Sequence, residues 1–243
     1  MDSPENKEAL NKKWKRYKPM LLDNSEICSK AKSASLKIIH HKTVTADAMT
    51  AVVEQYEALK ESDYIKSGKK RRVAQVPYQD TKYLIKEFRN PGPWGPFASD
   101  YRSWIYANRL KFYGINVPES LAWVHKDSKA FIISEFIEGK NPGKVLQNSS
   151  EQEQITIANK FNSLLRQMYR LGIVHEDMKI GNFIMDPAGT LYIVDNDAVL
   201  FDRTVNKKDW QRNRKHILDL PDEKIKHFLS DYFDKQIPPY RDE

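Results

Sequence analysis

The sequence predicts an α+β fold with two lobes, an N-terminal lobe built on an antiparallel sheet and a compact, mostly helical C-terminal lobe. Three short stretches with the character of strands, over residues 63–66, 73–76 and 83–88, are separated by turn residues and indicate an antiparallel meander. Ser150 and Glu153 form a capping-box pattern, and the apolar residues that follow recur at helical spacing. The sequence thus changes from strand-rich to helix-rich.

The other elements follow from local patterns. Thr45 starts a helical pattern, and a second helix is predicted over residues 99–113, where Gly114 provides a natural stop. Two further strands are expected over residues 122–124 and 130–136. These strands extend the predicted meander into a larger antiparallel sheet.

We divide the chain into a basic N-terminal extension (residues 1–43), an N-terminal lobe (44–138) and a C-terminal lobe (139–243). The extension carries a cluster of cationic and aromatic residues: Lys12, Lys13, Trp14, Lys15, Arg16, Tyr17 and Lys18. Such a cluster is typical of an arm that contacts a membrane surface or another anionic partner. A solvated, partly ordered extension is the alternative.

The chain of 243 residues is basic, with a formal net charge of +7 and a pI of about 9.2. This charge favours anionic partners without choosing among nucleic acid, lipid and phosphorylated substrates. The single cysteine, Cys28, excludes a disulfide framework and indicates a reducing compartment. No apolar run approaches the ~18 residues that span a bilayer, and the N-terminus has no apolar signal core. We expect a cytoplasmic protein. We expect no nucleic-acid partner, because the positive charge is the one feature of the sequence that would support such a partner.

The most informative stretch is His175-x-Asp177-x-Lys179-x-x-Asn182, followed by an apolar strand, a turn and a second apolar strand that ends at Asp195. Phosphoryl transfer needs a carboxylate that accepts the proton of the attacking hydroxyl, oxygen ligands for magnesium, and cations near the phosphates. Asp177 fits the base, Asn182 and Asp195 fit the metal ligands, and Lys179 lies where it can contact the transferred phosphate. Ordinary turn and cap residues are the alternative.

This order and spacing resemble the catalytic loop and metal-binding aspartate of the protein-kinase-like superfamily. The resemblance implies ATP and Mg²⁺ as cofactors and Lys86 as the strand lysine that holds the α- and β-phosphates, with Lys82 as its competitor. It also implies that backbone groups of Glu135 and Ile137 contact the adenine. The triplet at the predicted metal site is Asp195-Asn196-Asp197, where the superfamily usually has Asp-Phe-Gly. Asp197 either adds a second carboxylate or caps the following turn.

Two features depart from the superfamily pattern. The turn at residues 67–72 has one glycine and four basic residues instead of a glycine-rich loop, so we assign Lys69 and Arg71 to the phosphates. The helix before Gly114 has Ser103 where a glutamate usually pairs with the strand lysine. Asp100, one turn earlier, is a possible substitute.

The sequence continues only a short way beyond Asp195, without a visible activation segment, which favours a compact kinase whose substrate is not a protein. From about residue 63 to about residue 218 the chain resembles the bacterial lipopolysaccharide core kinases, the Kdo and heptose kinases. The resemblance rests on the strand around Lys86, on Trp104 and Leu110 leading to 114–118, on 137–139, on 172–182 and on 207–213.

The resemblance implies phosphorylation of a sugar hydroxyl of the lipopolysaccharide inner core, with ATP and magnesium, at the cytoplasmic face of the inner membrane. The expected partners are an anionic lipid-linked saccharide and the membrane surface, which the protein contacts peripherally. Two alternatives stay open: a kinase acting on a protein or small metabolite, and a pseudokinase-like binding module. The acceptor sugar and the oligomeric state are not assigned.

Overall fold

The computed structural model describes residues 7–33, 35–91 and 98–236. The chain divides into two compact units, which we call the sheet unit and the helical unit. The sheet unit comprises Glu8–Tyr113 and Pro118–Phe136. The helical unit comprises Met1–Lys7, Gly114–Val117 and Ile137–Glu243. The chain passes between them after Phe136, whereas the sequence analysis placed the lobe boundary after residue 138.

The sheet unit contains seven antiparallel strands in the order β1-β2-β6-β7-β5-β4-β3. The strands are β1 Cys28–Lys32, β2 Leu36–His41, β3 Tyr64–Ser67, β4 Arg71–Tyr78, β5 Thr81–Arg89, β6 Ser120–Lys126 and β7 Lys129–Glu135. The helices are α1 Lys7–Tyr17, α2 Ala46–Glu57 and α3 Ser99–Phe112. The predicted meander is β3-β4-β5, and the predicted strands after α3 are β6 and β7.

Helix α2 packs on one face of the sheet. Thr45 caps it by accepting a hydrogen bond from the Ala48 N–H at 3.2 Å. Its apolar residues join a core with side chains from five strands: Met49, Val52, Val53, Tyr56, Ile38, Val76, Ile85, Val124 and Phe131. Burial of this apolar surface is the main stabilisation of the unit.

Alternation along β5 decides which face each of its side chains reaches. Ile85 lies in the core under α2, and the Glu87 carboxylate accepts a hydrogen bond from the Tyr56 hydroxyl at 3.0 Å. Lys86, between them in sequence, therefore points to the opposite face of the sheet. Lys82 is exposed at the start of the strand, whereas Lys86 is half-buried.

The structure differs from the predicted extension over residues 1–43, because α1, β1 and β2 belong to the sheet unit. Neither strand shows in its sequence the alternation that marks a half-buried strand, because β1 is short and polar and the last four residues of β2 are all buried. Trp14, which the sequence analysis placed in a surface arm, is 4% exposed and packs on Phe112 with ring centroids 5.6 Å apart. It is therefore a packing residue, while Lys12, Lys15 and Arg16 stay exposed.

In its described residues, the helical unit contains four α-helices and two strand pairs. The helices are α4 Pro142–Gln147, α5 Glu151–Arg170, α6 Lys207–Ile217 and α7 Glu223–Asp234. The strands are β8 Val174–His175, β9 Phe183–Met185, β10 Leu191–Ile193 and β11 Val199–Leu200, and β9 pairs with β10 and β8 with β11. Together the two units confirm the predicted α+β class.

Helix α5 begins at the predicted capping box. The Ser150 N–H donates to Glu153 Oε2 at 2.7 Å, and Ser150 Oγ accepts from the Glu153 N–H at 3.4 Å. Phe161, on the buried face of α5, packs against Phe183 of β9 with ring centroids 5.0 Å apart. This contact fixes the β9–β10 hairpin on the helix. In the described part of the chain, no helix combines the length and the apolar character needed to cross a membrane.

Candidate active site

The turn after α5 brings the chain into the segment that contains Asp177. Gly172 has a φ of +68°, and a Cβ placed there would lie 2.7 Å from the Arg203 carbonyl oxygen. Ile173 then donates its N–H to the Met168 carbonyl at 2.8 Å. Glycine is required at this turn because a side chain would meet both backbone strain and a backbone atom.

Asp177 lies at the centre of a local hydrogen-bond network. Its Oδ1 is 2.8 Å from Lys179 Nζ, and the Asn182 amide donates to its main-chain oxygen at 2.7 Å and to Oδ2 at 3.3 Å. The hydrogen bond from Lys179, followed by that from Asn182, holds the pKa of the Asp177 carboxyl below its usual range. The carboxylate is therefore ionised near neutral pH, as a proton acceptor must be.

Asn182 and Asp195 lie at the open end of the β9–β10 hairpin. Phe183 pairs with Ile193, and the Val194 N–H donates to the Asn182 carbonyl at 2.9 Å. The hairpin therefore places the two predicted metal ligands side by side at its end. The structure brings Asp177, Lys179, Asn182 and Asp195 together within one unit.

His175 connects the predicted base with a predicted metal ligand, a role that the sequence analysis did not assign. Its Nδ1 accepts the Asp177 N–H at 3.1 Å, and its Nε2 donates to the Asp195 carbonyl at 2.7 Å. These partners fix the neutral Nε2–H tautomer. Burial lowers the pKa of this fully buried imidazole, which keeps it neutral. Its place two residues before Asp177 was visible in the sequence, but its partners were not.

The residues present fit a magnesium ion. The Asn182 amide nitrogen is held by Asp177, which leaves its oxygen Oδ1 for coordination. Asp195 supplies a carboxylate, and its Oδ1 accepts the Asp197 N–H at 3.4 Å. The described residues contain no group of three or more His, Cys, Asp or Glu side chains placed to hold a metal. Magnesium commonly takes one or two protein ligands and completes its shell with phosphate and water, which matches this donor set.

The predicted phosphate-binding cations lie in the sheet unit. Lys86 Nζ is 5.6 Å and the Arg71 guanidinium 5.2 Å from the centroid of the Phe88 ring, so Lys86 and Arg71 flank one side chain. Lys69 is exposed in the β3–β4 hairpin loop. Arg72, the fourth basic residue of that stretch, is bound to Glu61 at 2.5 Å.

The two predicted adenine contacts lie at the end of β7 and just beyond it. The Glu135 N–H donates to the Glu119 carbonyl at 2.9 Å, and its side chain accepts the Glu119 N–H at 2.9 Å. The Glu135 N–H is therefore already bonded within the sheet unit. Ile137 is half-buried and follows the strand.

Asp100, the possible partner of Lys86, has other partners. Its Oδ2 accepts hydrogen bonds from Trp123 Nε1 at 2.7 Å and from His125 Nε2 at 2.5 Å, and the residue is fully buried. Asp100 therefore ties α3 to β6 through Oδ2. Ser103 is also buried in α3, and a serine carries no charge to offer a lysine.

Comparison with known proteins gives two curated relatives. The chain is 30% identical over 98 residues to the KEOPS complex subunit Bud32 of Pyrococcus abyssi, which covers 40% of this chain and 43% of that protein. It is 25% identical over 139 residues to the 3-deoxy-D-manno-octulosonic acid kinase of Vibrio cholerae, which covers 50% of this chain and 58% of that enzyme. The matches thus span about half the length of each relative.

The family comparison extends over more of the helical unit than of the sheet unit. The ABC1 atypical kinase-like domain matches residues 106–228, from within α3 to within α7. This range contains Asp177, Lys179, Asn182 and Asp195, and it begins after Lys86. The predicted kinase-like fold is confirmed, and the chain belongs to the family of ABC1 atypical kinase-like domains.

Proposed function

We propose that this protein is an ATP- and magnesium-dependent kinase that transfers a phosphoryl group to an alcohol hydroxyl. The observation that carries the proposal is the network joining Asp177, Lys179 and Asn182 with His175 and Asp195. It holds an ionised carboxylate beside oxygen ligands for a metal. Similarity to the ABC1 atypical kinase-like domain supports the same reaction class.

In the proposed reaction, the acceptor hydroxyl donates its proton to the Asp177 carboxylate as its oxygen attacks the terminal phosphorus of ATP. The new bond between the acceptor oxygen and the phosphorus forms as the bond between the phosphorus and the bridging oxygen of ADP breaks. ADP then leaves with the negative charge on that oxygen. Lys179 is 2.8 Å from Asp177 and offsets charge on the transferred group. Asn182 and Asp195 hold the magnesium ion, which when bound neutralises phosphate charge. His175, which is hydrogen-bonded to the main chain of both residues, holds Asp177 in position relative to Asp195.

We assign ATP binding to the residues of the sheet unit and the connection that follows it. Lys86 and Arg71 are the cations for the phosphates, and exposed Lys69 adds a third positive charge. The Glu135 carbonyl and the Ile137 backbone are the proposed contacts of the adenine. Because both cations lie beside the ring of Phe88, a change at either is expected to weaken nucleotide binding.

For the acceptor, we propose a sugar hydroxyl of the lipopolysaccharide inner core, on Kdo or heptose. The similarity to a 3-deoxy-D-manno-octulosonic acid kinase supports this class. The partner is then an anionic lipid-linked saccharide, which suits a chain of net charge +7. Similarity to Bud32, a subunit of a protein complex, supports the alternative of a protein or small-metabolite acceptor.

We further propose a cytoplasmic protein that contacts the inner membrane peripherally through α1. Exposed Lys12, Lys15 and Arg16 provide the positive charge that an anionic leaflet attracts. Binding to vesicles that contain anionic lipid should fall steeply between low salt and about 0.5 M salt, because exposed charges are screened. Reversal of all three charges to glutamate should abolish binding. Vesicle binding that survives both changes would contradict the assignment.

The test of the proposed function is ATP turnover by the purified chain with magnesium. Three reactions are compared: purified lipopolysaccharide core saccharide as acceptor, a generic protein acceptor, and no acceptor. The proposal predicts ADP formation that rises with the saccharide, and a saccharide that gains the mass of one phosphoryl group. Phosphate on the protein acceptor alone would favour the alternative kinase, and ATP binding without turnover would favour a pseudokinase-like binding module.

A further inference from the structure

Helix α6 presents side chains of different character on its different sides. One side is buried, and its residues are Trp210, Asn213 and Ile217. Arg214 donates to Ser230 Oγ at 2.7 Å and pairs with Asp234 at 2.8 Å, so it binds α7. The solvent side consists of Lys208, Gln211 and Lys215. Arg212 and His216, four residues apart and both half-buried, share the remaining side.

The side with Arg212 and His216 lies along the loop that contains Asp177. Arg212 Nη1 is 3.9 Å from the carboxylate of Glu176, the residue directly before Asp177. Beyond the C-terminal end of α6, Leu220 and Ile180 meet at Gly143, where an added Cβ would lie 3.6 Å and 3.5 Å from their side chains. The helix thus follows the catalytic loop from Glu176 to Ile180.

The electrostatic interactions between the α6 region and the loop that contains Asp177 agree with this geometry. The hydrogen bond from Lys179 is the main cause of the lowered Asp177 pKa, and the charge of His216 adds to it. Asp177 likewise raises the pKa of Lys179, and Asp219, just after α6, contributes.

Arg212 and His216 have hydrogen-bonding capacity that the protein itself uses only in part. Arg212 Nη2 donates to Asp209 at 3.0 Å, but its Nη1 is 3.9 Å from Glu176, beyond hydrogen-bond range. Within the described ranges, Arg212 Nε and His216 Nδ1 are buried atoms with no hydrogen-bond partner, so a ligand would meet the Arg212 side chain first at Nη1. A guanidinium with spare donors beside an imidazole is suited to a planar or tetrahedral anion.

We propose that Arg212 and His216 bind an anionic group of the acceptor, a carboxylate or a phosphate, and thereby place the neighbouring hydroxyl at Asp177. This inference rests on the proposed function and names the feature that an acceptor must carry. A neutral alcohol of the same size lacks the group that Arg212 recognises. The positive side of α6 therefore selects acid or phosphorylated sugars over neutral ones.

The kinetic test compares Arg212→Gln and His216→Gln with wild type. Loss of one charge-assisted hydrogen bond should raise the KM for the acidic acceptor by about ten- to a hundred-fold, with the KM for ATP within about two-fold. Lys208→Gln and Lys215→Gln remove the same charge from the solvent side of α6 and should change neither KM. An acceptor KM that stays at the wild-type value in Arg212→Gln, or that rises equally in Lys215→Gln, would overturn the proposal.

A binding test separates failure of this inference from failure of the proposed function. The imidazole resonance of His216 in the full chain is followed by NMR during titration with inorganic phosphate and, separately, with acetate. A saturable shift with one of these anions, absent in Arg212→Gln, is the expected result, and the more effective anion identifies the group. A protein that phosphorylates no saccharide but shows this shift would refute the proposed acceptor class alone. No shift with either anion, or the same shift in Arg212→Gln, would overturn the anion site.

Discussion

The catalytic loop of the helical unit and the nucleotide-binding residues assigned in the sheet unit are positioned in different ways. Between His175 and Asp195 the contacts that join His175, Asp177, Lys179, Asn182 and Asp195 all lie within the segment, so it builds much of its own geometry. In the sheet unit, Arg71 and Lys86 come from different strands and both approach the ring of Phe88. Here the geometry depends on strand register. Local hydrogen bonding therefore accounts for the kinase-like spacing of residues in the helical unit. The sheet unit departs from the kinase-like pattern, for example at Ser103, where a glutamate is usual.

This comparison predicts the largest effect at Asp195, the carboxylate that we assign to the magnesium ion. Asp195→Ala removes a metal ligand, and metal-ion stabilisation worth several kcal/mol corresponds to about a thousand-fold or more in rate. Single-turnover ADP formation at saturating magnesium measures this loss. Circular dichroism on the same sample shows whether the fold survives. A variant that folds and keeps more than about a tenth of the wild-type rate would contradict the role of Asp195.

A smaller and different effect is expected at Lys86. Lys86→Met keeps the aliphatic stem but removes the charge, so the KM for ATP should rise about ten- to a hundred-fold with a smaller change in kcat. Lys82→Met is the matched control, since Lys82 lies on the same strand and is exposed. If Lys82→Met weakens ATP binding and Lys86→Met does not, the lysine assignment on β5 is wrong.

At His175 the expected effect is on both stability and rate. His175→Phe leaves the Asp177 N–H and the Asp195 carbonyl without their partner, which costs about 1–3 kcal/mol for each buried group. Because His175 acts by positioning, kcat should fall while the KM for ATP stays near the wild-type value. Thermal unfolding and steady-state kinetics on one preparation separate these effects. An unchanged Tm would show that the two hydrogen bonds do not stabilise the loop.

The lowered pKa of His175 also predicts a pH dependence of stability. The unfolded chain takes up a proton near the usual pKa of 6.5, whereas the folded chain takes it up only at lower pH. Stability is therefore complete above pH 6.5 and falls as the pH decreases through the window below it. Buried His41 contributes in the same direction. The slope of Tm against pH should be shallower in His175→Phe, and an equal slope would contradict the neutral, buried imidazole.

The smallest effect concerns the turn that leads into the loop. Gly172→Ala forces a side chain into a positive-φ backbone and should cost about 1–2 kcal/mol. Gly181→Ala is the control, because Gly181 has open space around its Cβ position and a negative φ. Denaturant midpoints of the two variants measure the difference. Equal midpoints would show that the turn at Gly172 is not strained by a side chain.

The part of the candidate site that the sequence could indicate is the part that lies within one segment of the chain. Asp177, Asn182 and Asp195 are separated by fixed numbers of residues in a loop and a hairpin, so spacing alone indicated their proximity. The capping box of α5 was likewise a local signal that the structure confirms.

Contacts between distant segments were not predictable in this way. Trp14 was assigned to the surface because its neighbours are cationic, but Phe112, nearly 100 residues later, buries it. Asp100 had no visible partner in sequence, and β6 supplies Trp123 and His125. The placement of Arg212 beside Glu176 likewise depends on how α6 packs, which no local pattern encodes.

The central claim is that Asp177 accepts the proton of an attacking hydroxyl in a magnesium-dependent kinase site. Asp177→Asn keeps the size and most hydrogen bonds of the side chain but removes its basicity. The most direct measurement is therefore single-turnover phosphoryl transfer to core saccharide by wild type, Asp177→Asn and the surface control Lys215→Gln. We predict a rate about 10²- to 10⁴-fold lower in Asp177→Asn, unchanged ATP affinity, and a wild-type rate in Lys215→Gln. Transfer by Asp177→Asn at the wild-type rate would contradict the account.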